Sequence, residues 1–239
     1  MVDKAFRRIS IDNHGDWLIE RNAHLQASDA AAVMGISPWK SMAELYDEKT
    51  GRIPAKNISD KPYVRYGIDM EPIARNAFML DCPYFTLEYH QYDILESFEF
   101  PWMGATLDGE LTVASPMNPW GLPAGAKGIY EGKTGGWIRE SDLAEWDGTR
   151  SYVPPHYFTQ GIHQLNVTGW DFVIFHARLK RDPYRDSDMG FPDIRTFYRI
   201  LDCRSYEVEN AKRVLKEAEQ SFWDGYVRKG KRPSRRIAI

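Results

Sequence analysis

The chain has 239 residues, of which 43% are hydrophobic and 13% aromatic, enough for one large domain or two small ones with a substantial core. A formal net charge of −3 does not by itself indicate a nucleic-acid partner. The two cysteines, Cys82 and Cys203, form neither a metal-binding spacing nor a disulfide framework, which argues against an iron–sulfur cluster. With no apolar signal region and no stretch of transmembrane length, we expect a cytoplasmic protein without a membrane partner.

Local signals in the first third of the chain predict helices. Three short helices are expected at 14–24, 29–34 and 41–51, and a longer one at about 63–80. Ser28 is a candidate N-cap of the second helix, and Ser41 with Glu44 forms a capping-box pattern at the start of the third. The stretch 52–62 is the first plausible linker. Because proline disfavours the α region for the preceding residue, Pro72 predicts a kink or a helix start at Glu71.

The remainder of the chain predicts strands alternating with helices. Strands are expected at 85–92, 103–107, 129–134, 171–179 and 195–202, and helices at 137–147, 154–168 and 205–228. The stretch 113–128 holds three prolines and three glycines and reads as an excursion between two strands. This order predicts a mixed α/β (α+β) fold with a central mixed sheet flanked by helices. We expect a single domain over 1–239, with a helical part at 1–62, a core at 63–204 and a C-terminal helix and tail at 205–239.

Basic residues concentrate in that tail, where six of the last twelve residues are positively charged. They are Arg228, Lys229, Lys231, Arg232, Arg235 and Arg236. Such a run is most often a solvated tail, but it can also contact phosphates.

Two acidic stretches carry the strongest chemical signal. In a strand, Glu131 and Lys133 point to the same face, and Asp108, just before Gly109, can bring a second carboxylate nearby. Two carboxylates bind a hard cation such as Mg²⁺, and Lys133 could hold or deprotonate a water on it. The alternative is ordinary structure, with a hairpin turn at Asp108 and a solvated ion pair at Glu131 and Lys133.

A polar stripe on the helix predicted at 154–168 allows the same two interpretations. Tyr157, Gln160 and Gln164 fall on one helical face, at i, i+3 and i+7. They could face solvent, or they could close over a metal and its water beside the Glu131 strand.

Taken together, six stretches between about 14 and 178 resemble the lambda-exonuclease-like, YqaJ-type viral recombinase family of the PD-(D/E)XK nucleases. They are Trp17-x-x-x-Arg21 with Ala27-Ser28-Asp29; Ser37-Pro38-Trp39; Gly67-x-x-x-Glu71; Leu107-Asp108-Gly109; Glu131-Gly132-Lys133; and Pro155-x-Tyr157-x-x-Gln160. No single stretch is specific, but their order and spacing together make chance agreement improbable. One departure is the long connection over 109–128, which the family usually has short.

The resemblance implies a role for each matching position. One or two Mg²⁺ ions, with Mn²⁺ as an alternative, would be held by three carboxylates and a backbone carbonyl, those of Glu71, Asp108, Glu131 and Gly132. Lys133 would orient or activate the attacking water, and Gln160 would help to hold the nucleophile or the scissile phosphate. Arg21 and Ser28 would bind a DNA phosphate at the 5′ end.

The activity that the resemblance implies is a metal-dependent exonuclease that digests double-stranded DNA from the 5′ end for phage-type recombination. Its partners would be duplex DNA, two further copies in a trimeric ring and a single-strand annealing protein, in a bacterial or phage-infected cell. A PD-(D/E)XK endonuclease of restriction or repair type remains an alternative. So does a non-catalytic DNA-binding module, although the complete set of Glu71, Asp108, Glu131 and Lys133 favours an enzyme.

Overall fold

The computed structural model describes residues 5–54, 61–137, 140–147, 152–181 and 193–234. Its helices are α1 His14–Ala23, α2 Ala30–Val33, α3 Met42–Lys49, α4 Pro62–Asp81, α5 Glu140–Leu143, α6 Pro155–Thr168 and α7 Tyr206–Phe222. Its strands are β1 Phe6–Ser10, β2 Leu25–Gln26, β3 Phe85–Glu88, β4 Asp93–Ser97, β5 Met103–Ala105, β6 Gly109–Val113, β7 Lys127–Trp137, β8 Phe172–Arg181 and β9 Ile194–Asp202. A 3₁₀ turn at Ala27–Asp29 precedes α2, and a π-helical turn at Trp223–Val227 follows α7.

The larger sheet has five strands in the order β3-β6-β7-β8-β9. Only β7 and β8 run parallel, and parallel neighbours need a long crossover, which here contains α5 and α6. Helix α4 covers one face, where the Phe78 and Tyr130 rings lie 5.0 Å apart. Helix α6 covers the other face, where Ile162 packs with Phe175. Burial on both faces explains the nearly unbroken apolar run of β8.

A smaller sheet of four strands, in the order β1-β4-β5-β2, lies beside it. Its strands come from both sides of α4 in the sequence, so the N-terminal part pairs with the segment that follows the long helix. A second core cluster joins Leu25, Leu95 and Trp102 of this region to Phe222 at the end of α7. The predicted mixed sheet with flanking helices is therefore confirmed, while the division at 62 and 204 stays a prediction.

Several local predictions agree with the structure. The capping box of Ser41 and Glu44 opens α3, and α6, β8 and β9 lie where they were expected. Among the described residues, no helix has the length and apolar character needed to cross a bilayer. Two members of the basic run form ion pairs, Arg228 with Asp224 and Arg232 with Asp47. Residues 55–60 of the predicted linker, and Arg235 and Arg236, lie outside the described residues.

The cap predicted at Ser28 is wrong, and one of the two alternatives predicted at Glu71 is excluded. Ser28 lies inside the 3₁₀ turn, whose N-cap is Gln26 in a capping box with Asp29. Of the kink or helix start predicted at Glu71, the start is excluded, because α4 begins at Pro62, near the predicted residue 63, and runs through Pro72. Pro72 is exposed, so water can satisfy the carbonyl that loses its helical partner.

Four strands were not predicted, namely β1, β2, β4 and β6. Strand β6 begins directly after Asp108, so Asp108-Gly109 is a strand start and not a hairpin turn. The predicted excursion at 113–128 is the loop that joins β6 to β7, its antiparallel neighbour. The described part of the helix predicted at 137–147 is only α5.

Candidate active site

The site lies where β6 leaves β7. The two strands pair from Thr112 opposite Lys127 to Gly109 opposite Tyr130, after which β7 continues beside β8 alone. At this fork the backbone N–H of Gly132 donates to Oδ2 of Asp108 over 2.9 Å. The carboxylate thus takes the place of the missing strand partner. Since the N–H and C=O of one strand residue point to the same side, the carbonyl of Gly132 is directed to the Asp108 side as well.

The carboxylate of Glu131 is buried, with a residue exposure of 2%, and it is held by three donors. Oε1 accepts from Lys133 Nζ at 2.6 Å and from Gln160 Nε2 at 2.5 Å. Oε2 accepts from Gln164 Nε2 at 2.6 Å. The polar stripe of α6 therefore faces the Glu131 strand and not the solvent.

Lys133 is fixed by the same network. Its Nζ also donates to Gln160 Oε1 at 3.0 Å and lies 4.6 Å from the ring centre of Tyr157. Burial acts to lower the pKa of Lys133, but the charges of Glu131 and Asp108 outweigh it and raise the pKa above its usual value. Lys133 is consequently an ammonium at neutral pH, suited to donating hydrogen bonds and stabilising negative charge.

Glu71 approaches from α4 on the other side of the fork. A cleft of about 320 Å³ opens there, lined by Gly67, Glu71, Ala74, Arg75, Asp108, Tyr130, Gly132 and Thr134. The Glu71 side chain is 42% exposed, and its Oε2 lies 3.9 Å from Nη1 of Arg75. Arg75 also donates to the backbone carbonyl of Asp108 over 3.3 Å, which ties α4 to the start of β6.

Crowded negative charge defines the electrostatics of this cleft. Burial and then the charge of Glu131 raise the pKa of Asp108 well above its usual value. Burial also raises the pKa of Glu71, with Arg75 opposing the shift and Glu131 adding to it. Carboxylates that disfavour each other's ionisation suit a hard divalent cation, which would remove the repulsion. Within the described residues, no three His, Cys, Asp or Glu side chains are already grouped as ligands of one ion.

The residues predicted to bind a terminal phosphate lie next to each other. Nη2 of Arg21 donates to Oγ of Ser28 over 3.2 Å, and its guanidinium carbon lies 5.4 Å from the Trp17 ring centre. Burial lowers the pKa of Arg21, although the charge of Asp29 opposes this. Ser28 is exposed, so its hydroxyl is accessible to a ligand.

Sequence reasoning omitted three groups that complete the site. Gln164 was noted on the stripe but not assigned to the site, although it holds Glu131. Tyr157 was noted there as well, and its ring supports the Lys133 ammonium. Arg75, at i+4 from Glu71, was not singled out, although that spacing alone places it on the same helical face.

Comparisons with known proteins identify the family and a shared fold. The family model described as the YqaJ-like viral recombinase domain matches residues 16–171. The chain belongs to this family. Its match covers α1 to α6, and thus every residue of the candidate site described above.

One curated relative is the uncharacterised protein YqaJ of Bacillus subtilis strain 168, which is 28% identical over 158 residues. That alignment covers 66% of this chain but only 43% of the relative, so the chain spans less than half of the relative's length. Among solved structures, the alkaline exonuclease LHK-Exo of Laribacter hongkongensis shares the fold with a TM-score of 0.50 at 19% identity, covering 91% of this chain and 98% of that one. The complex of LHK-Exo with dAMP gives the same values.

Proposed function

We propose that this YqaJ-family protein is a metal-dependent DNA exonuclease that digests double-stranded DNA from the 5′ end and serves phage-type recombination. The observation that carries the proposal is the convergence of Asp108, Glu131 and Lys133 at the fork of β6 and β7, with Glu71 across the cleft. The shared fold with an alkaline exonuclease, also solved in complex with dAMP, supports a reaction on DNA ends.

The residues fit a divalent cation by their chemistry, since their oxygens are hard donors and a cation would relieve the repulsion that raises the pKa of Asp108 and of Glu71. Asp108, Glu131 and the Gly132 carbonyl would hold Mg²⁺ or Mn²⁺, and Glu71 would complete the set directly or through a water. When bound, the cation supplies a water of lowered pKa and neutralises charge on the phosphate.

The chain's own side chains would do the positioning. Gln160 and Gln164 fix the Glu131 carboxylate. Gln160 would also help to hold the attacking water or the scissile phosphate. The Lys133 ammonium would orient the water and stabilise the charge that develops on the phosphate oxygens. The charges of Glu131 and Asp108 raise its pKa, which favours the donating ammonium form.

Further features of the protein would set the direction of digestion and the assembly on DNA. Arg21 and Ser28 would grip the 5′ phosphate, which would set the direction of digestion. A trimeric ring would explain how a chain of net charge −3 binds a polyanion, because basic groups need line only the bore. A single-strand annealing protein would receive the strand left behind, and a cytoplasmic location would fit that role.

The deciding experiment is digestion of end-labelled linear duplex with Mg²⁺, and in parallel with EDTA. We expect loss of a 5′ label as mononucleotide with the metal and no product with EDTA. Relaxed circular DNA is the matched substrate without an end, and it should stay intact. Cutting of the circle would identify an endonuclease instead. DNA binding without cleavage under any metal would identify a non-catalytic module.

A further inference from the structure

An exposed aromatic side chain stands beside the candidate active site with no role in the network described above. Trp39 is 61% exposed, although a tryptophan normally contributes to a core or to an interface. It lies on the loop between α2 and α3, far in sequence from β7 and α6.

The loop that carries Trp39 is held in place. The hydroxyl of Ser37 accepts from the backbone N–H groups of Trp39 at 3.2 Å and of Lys40 at 3.3 Å. The Lys40 ammonium is bound in turn by the buried carboxylates of Glu48, at 2.6 Å, and Asp29, at 3.4 Å. The exposed ring is therefore presented by an anchored turn, so little entropy would be lost when a ligand stacks on it.

A chain of aromatic contacts connects this ring to the catalytic lysine. The Trp39 ring centre lies 5.0 Å from that of His156, edge to face, and 6.3 Å from that of Tyr157. The His156 and Tyr157 rings are 4.1 Å apart, and Lys133 Nζ lies over Tyr157 at 4.6 Å. The rings of His156 and Tyr157 thus lie between the Trp39 ring and the Lys133 ammonium, which would face the scissile phosphate.

We propose that Trp39, with His156 beside it, is a stacking platform for an unpaired nucleobase next to the scissile phosphate. The inference rests on the proposed nuclease function and adds what the site does with the base. Every base has a π face, so stacking on an indole holds a nucleotide without reading its identity. A base that leaves the duplex to stack here would separate the terminal pair and draw its phosphate towards Lys133.

The direct test uses duplex DNA carrying the fluorescent base 2-aminopurine at the first, second or third position from the 5′ end. The protein carries Asp108→Ala, so that the DNA is bound but not cut. We expect quenching at one of these positions, because a stacked 2-aminopurine loses fluorescence. Adding Trp39→Ala should restore the fluorescence, and adding Trp39→Phe should leave part of the quenching.

A kinetic arm uses the otherwise wild-type protein. Trp39→Ala should raise KM for duplex ends on the order of tenfold, as expected for one lost base stack. An abasic nucleotide at the quenched position should weaken wild-type binding but add no further loss in Trp39→Ala. Tyr206→Ala, at an 86% exposed aromatic position on α7, is the control and should change neither readout.

The outcomes separate the two proposals. If the wild type cleaves DNA, and Trp39→Ala shows the same quenching and the same KM as the protein that keeps Trp39, the stacking platform is refuted and the nuclease function is still supported. A loss of thermal stability in Trp39→Ala together with equal losses on abasic and normal ends would also overturn it, since the ring would then be merely structural. A protein that cuts no DNA would refute the nuclease, while end-specific quenching dependent on Trp39 would still support the platform.

Discussion

The carboxylate of Asp108 accepts the backbone N–H of Gly132, 24 residues further along the chain, at the point where β6 separates from β7. This bond places a carboxylate directly beside a strand residue whose neighbours are Glu131 and Lys133. It also gives the Gly132 N–H an acceptor where β7 has no strand partner on that side, so the same carboxylate serves both the fold and the site.

Asp108→Asn should separate those two tasks. An asparagine oxygen can still accept from Gly132, but the negative charge is gone, so we expect cleavage to fall by about 10²-fold or more. The free energy of unfolding at neutral pH should rise, since an ionised carboxylate is no longer forced beside Glu131. End-labelled cleavage and urea denaturation measure the two effects.

The size of that stability gain depends on pH. The pKa of Asp108 is higher in the folded protein than in the unfolded chain, so the folded state binds more protons between the two values and wild-type stability falls as pH rises through this window. The gain in Asp108→Asn should therefore vanish in acid. Asp224→Asn, at an exposed ion pair, is the control and should show neither the gain nor the loss of cleavage. Equal free energies of unfolding for the wild type and Asp108→Asn at every pH would contradict the repulsion between Asp108 and its neighbouring carboxylates.

Gln164→Leu tests whether the amide that holds Glu131 matters for the site. The substitution removes the donor to Oε2 and leaves that buried oxygen without it, which should cost about 1–3 kcal/mol in the free energy of unfolding. Cleavage should fall too, because Glu131 is then fixed only on its Oε1 side. Gln220→Leu, at an exposed position of α7, serves as the control in the same chemical-denaturation and cleavage assays. A variant as active and stable as the wild type would remove Gln164 from the site.

Local sequence patterns were sufficient for the parts of the fold and site that rest on local physics. The capping box that starts α3 and the prolines that open α6 are readable within one turn of helix. The period of two correctly put Glu131 and Lys133 on one face, where they form an ion pair. The helical spacing of Gln160 and Gln164 likewise put both on the face that meets Glu131.

The missed strand after Asp108 depends on long-range pairing. Nothing near Asp108 shows that the following residues pair with β7 rather than turn back, since that register is set across a loop of 13 residues between Val113 and Lys127. Pro72 does not start a new helix, because α4 continues through it and its exposed position lets water satisfy the freed carbonyl. Ser28 looked like a cap, but the capping box of Gln26 and Asp29 takes the helix start two residues earlier, and Asp29 is held there by Lys49.

The burial of His176 predicts that the folded protein loses stability in acid. Its side chain is fully buried, with Nδ1 3.0 Å from the Tyr130 hydroxyl and its ring stacked on Tyr198. Burial, followed by the charge of Arg178, lowers the pKa of His176 from 6.5 to about 4. The unfolded state therefore binds the extra proton first, and stability should fall by up to about 3 kcal/mol as pH drops from 6.5 to about 4.

Urea denaturation at pH 7, 6, 5 and 4.5 measures that slope. His176→Gln should reduce the slope of the free energy of unfolding against pH by nearly the contribution of one bound proton. His14→Gln, at an exposed histidine of α1, should leave the slope unchanged. Parallel slopes in the wild type and His176→Gln would mean that other groups cause the acid loss.

Arg21 provides the test of the predicted terminal-phosphate site. Within the part of the chain that the structure describes, its guanidinium donates one side-chain hydrogen bond, to Ser28, and this partly buried group has the charge and geometry to take a phosphate. We expect the wild type to prefer 5′-phosphorylated over 5′-hydroxyl ends and Arg21→Ala to lose that preference, by about tenfold or more for a charge-assisted contact. Rates on the two ends are compared for both proteins, with Arg213→Ala, on the exposed face of α7, as the control. Arg21→Lys should restore only part of the preference, because an ammonium cannot make the bidentate contact. If the wild type treats both ends alike, or if Arg21→Ala keeps the preference, then Arg21 serves only to pack against Trp17 and hold Ser28.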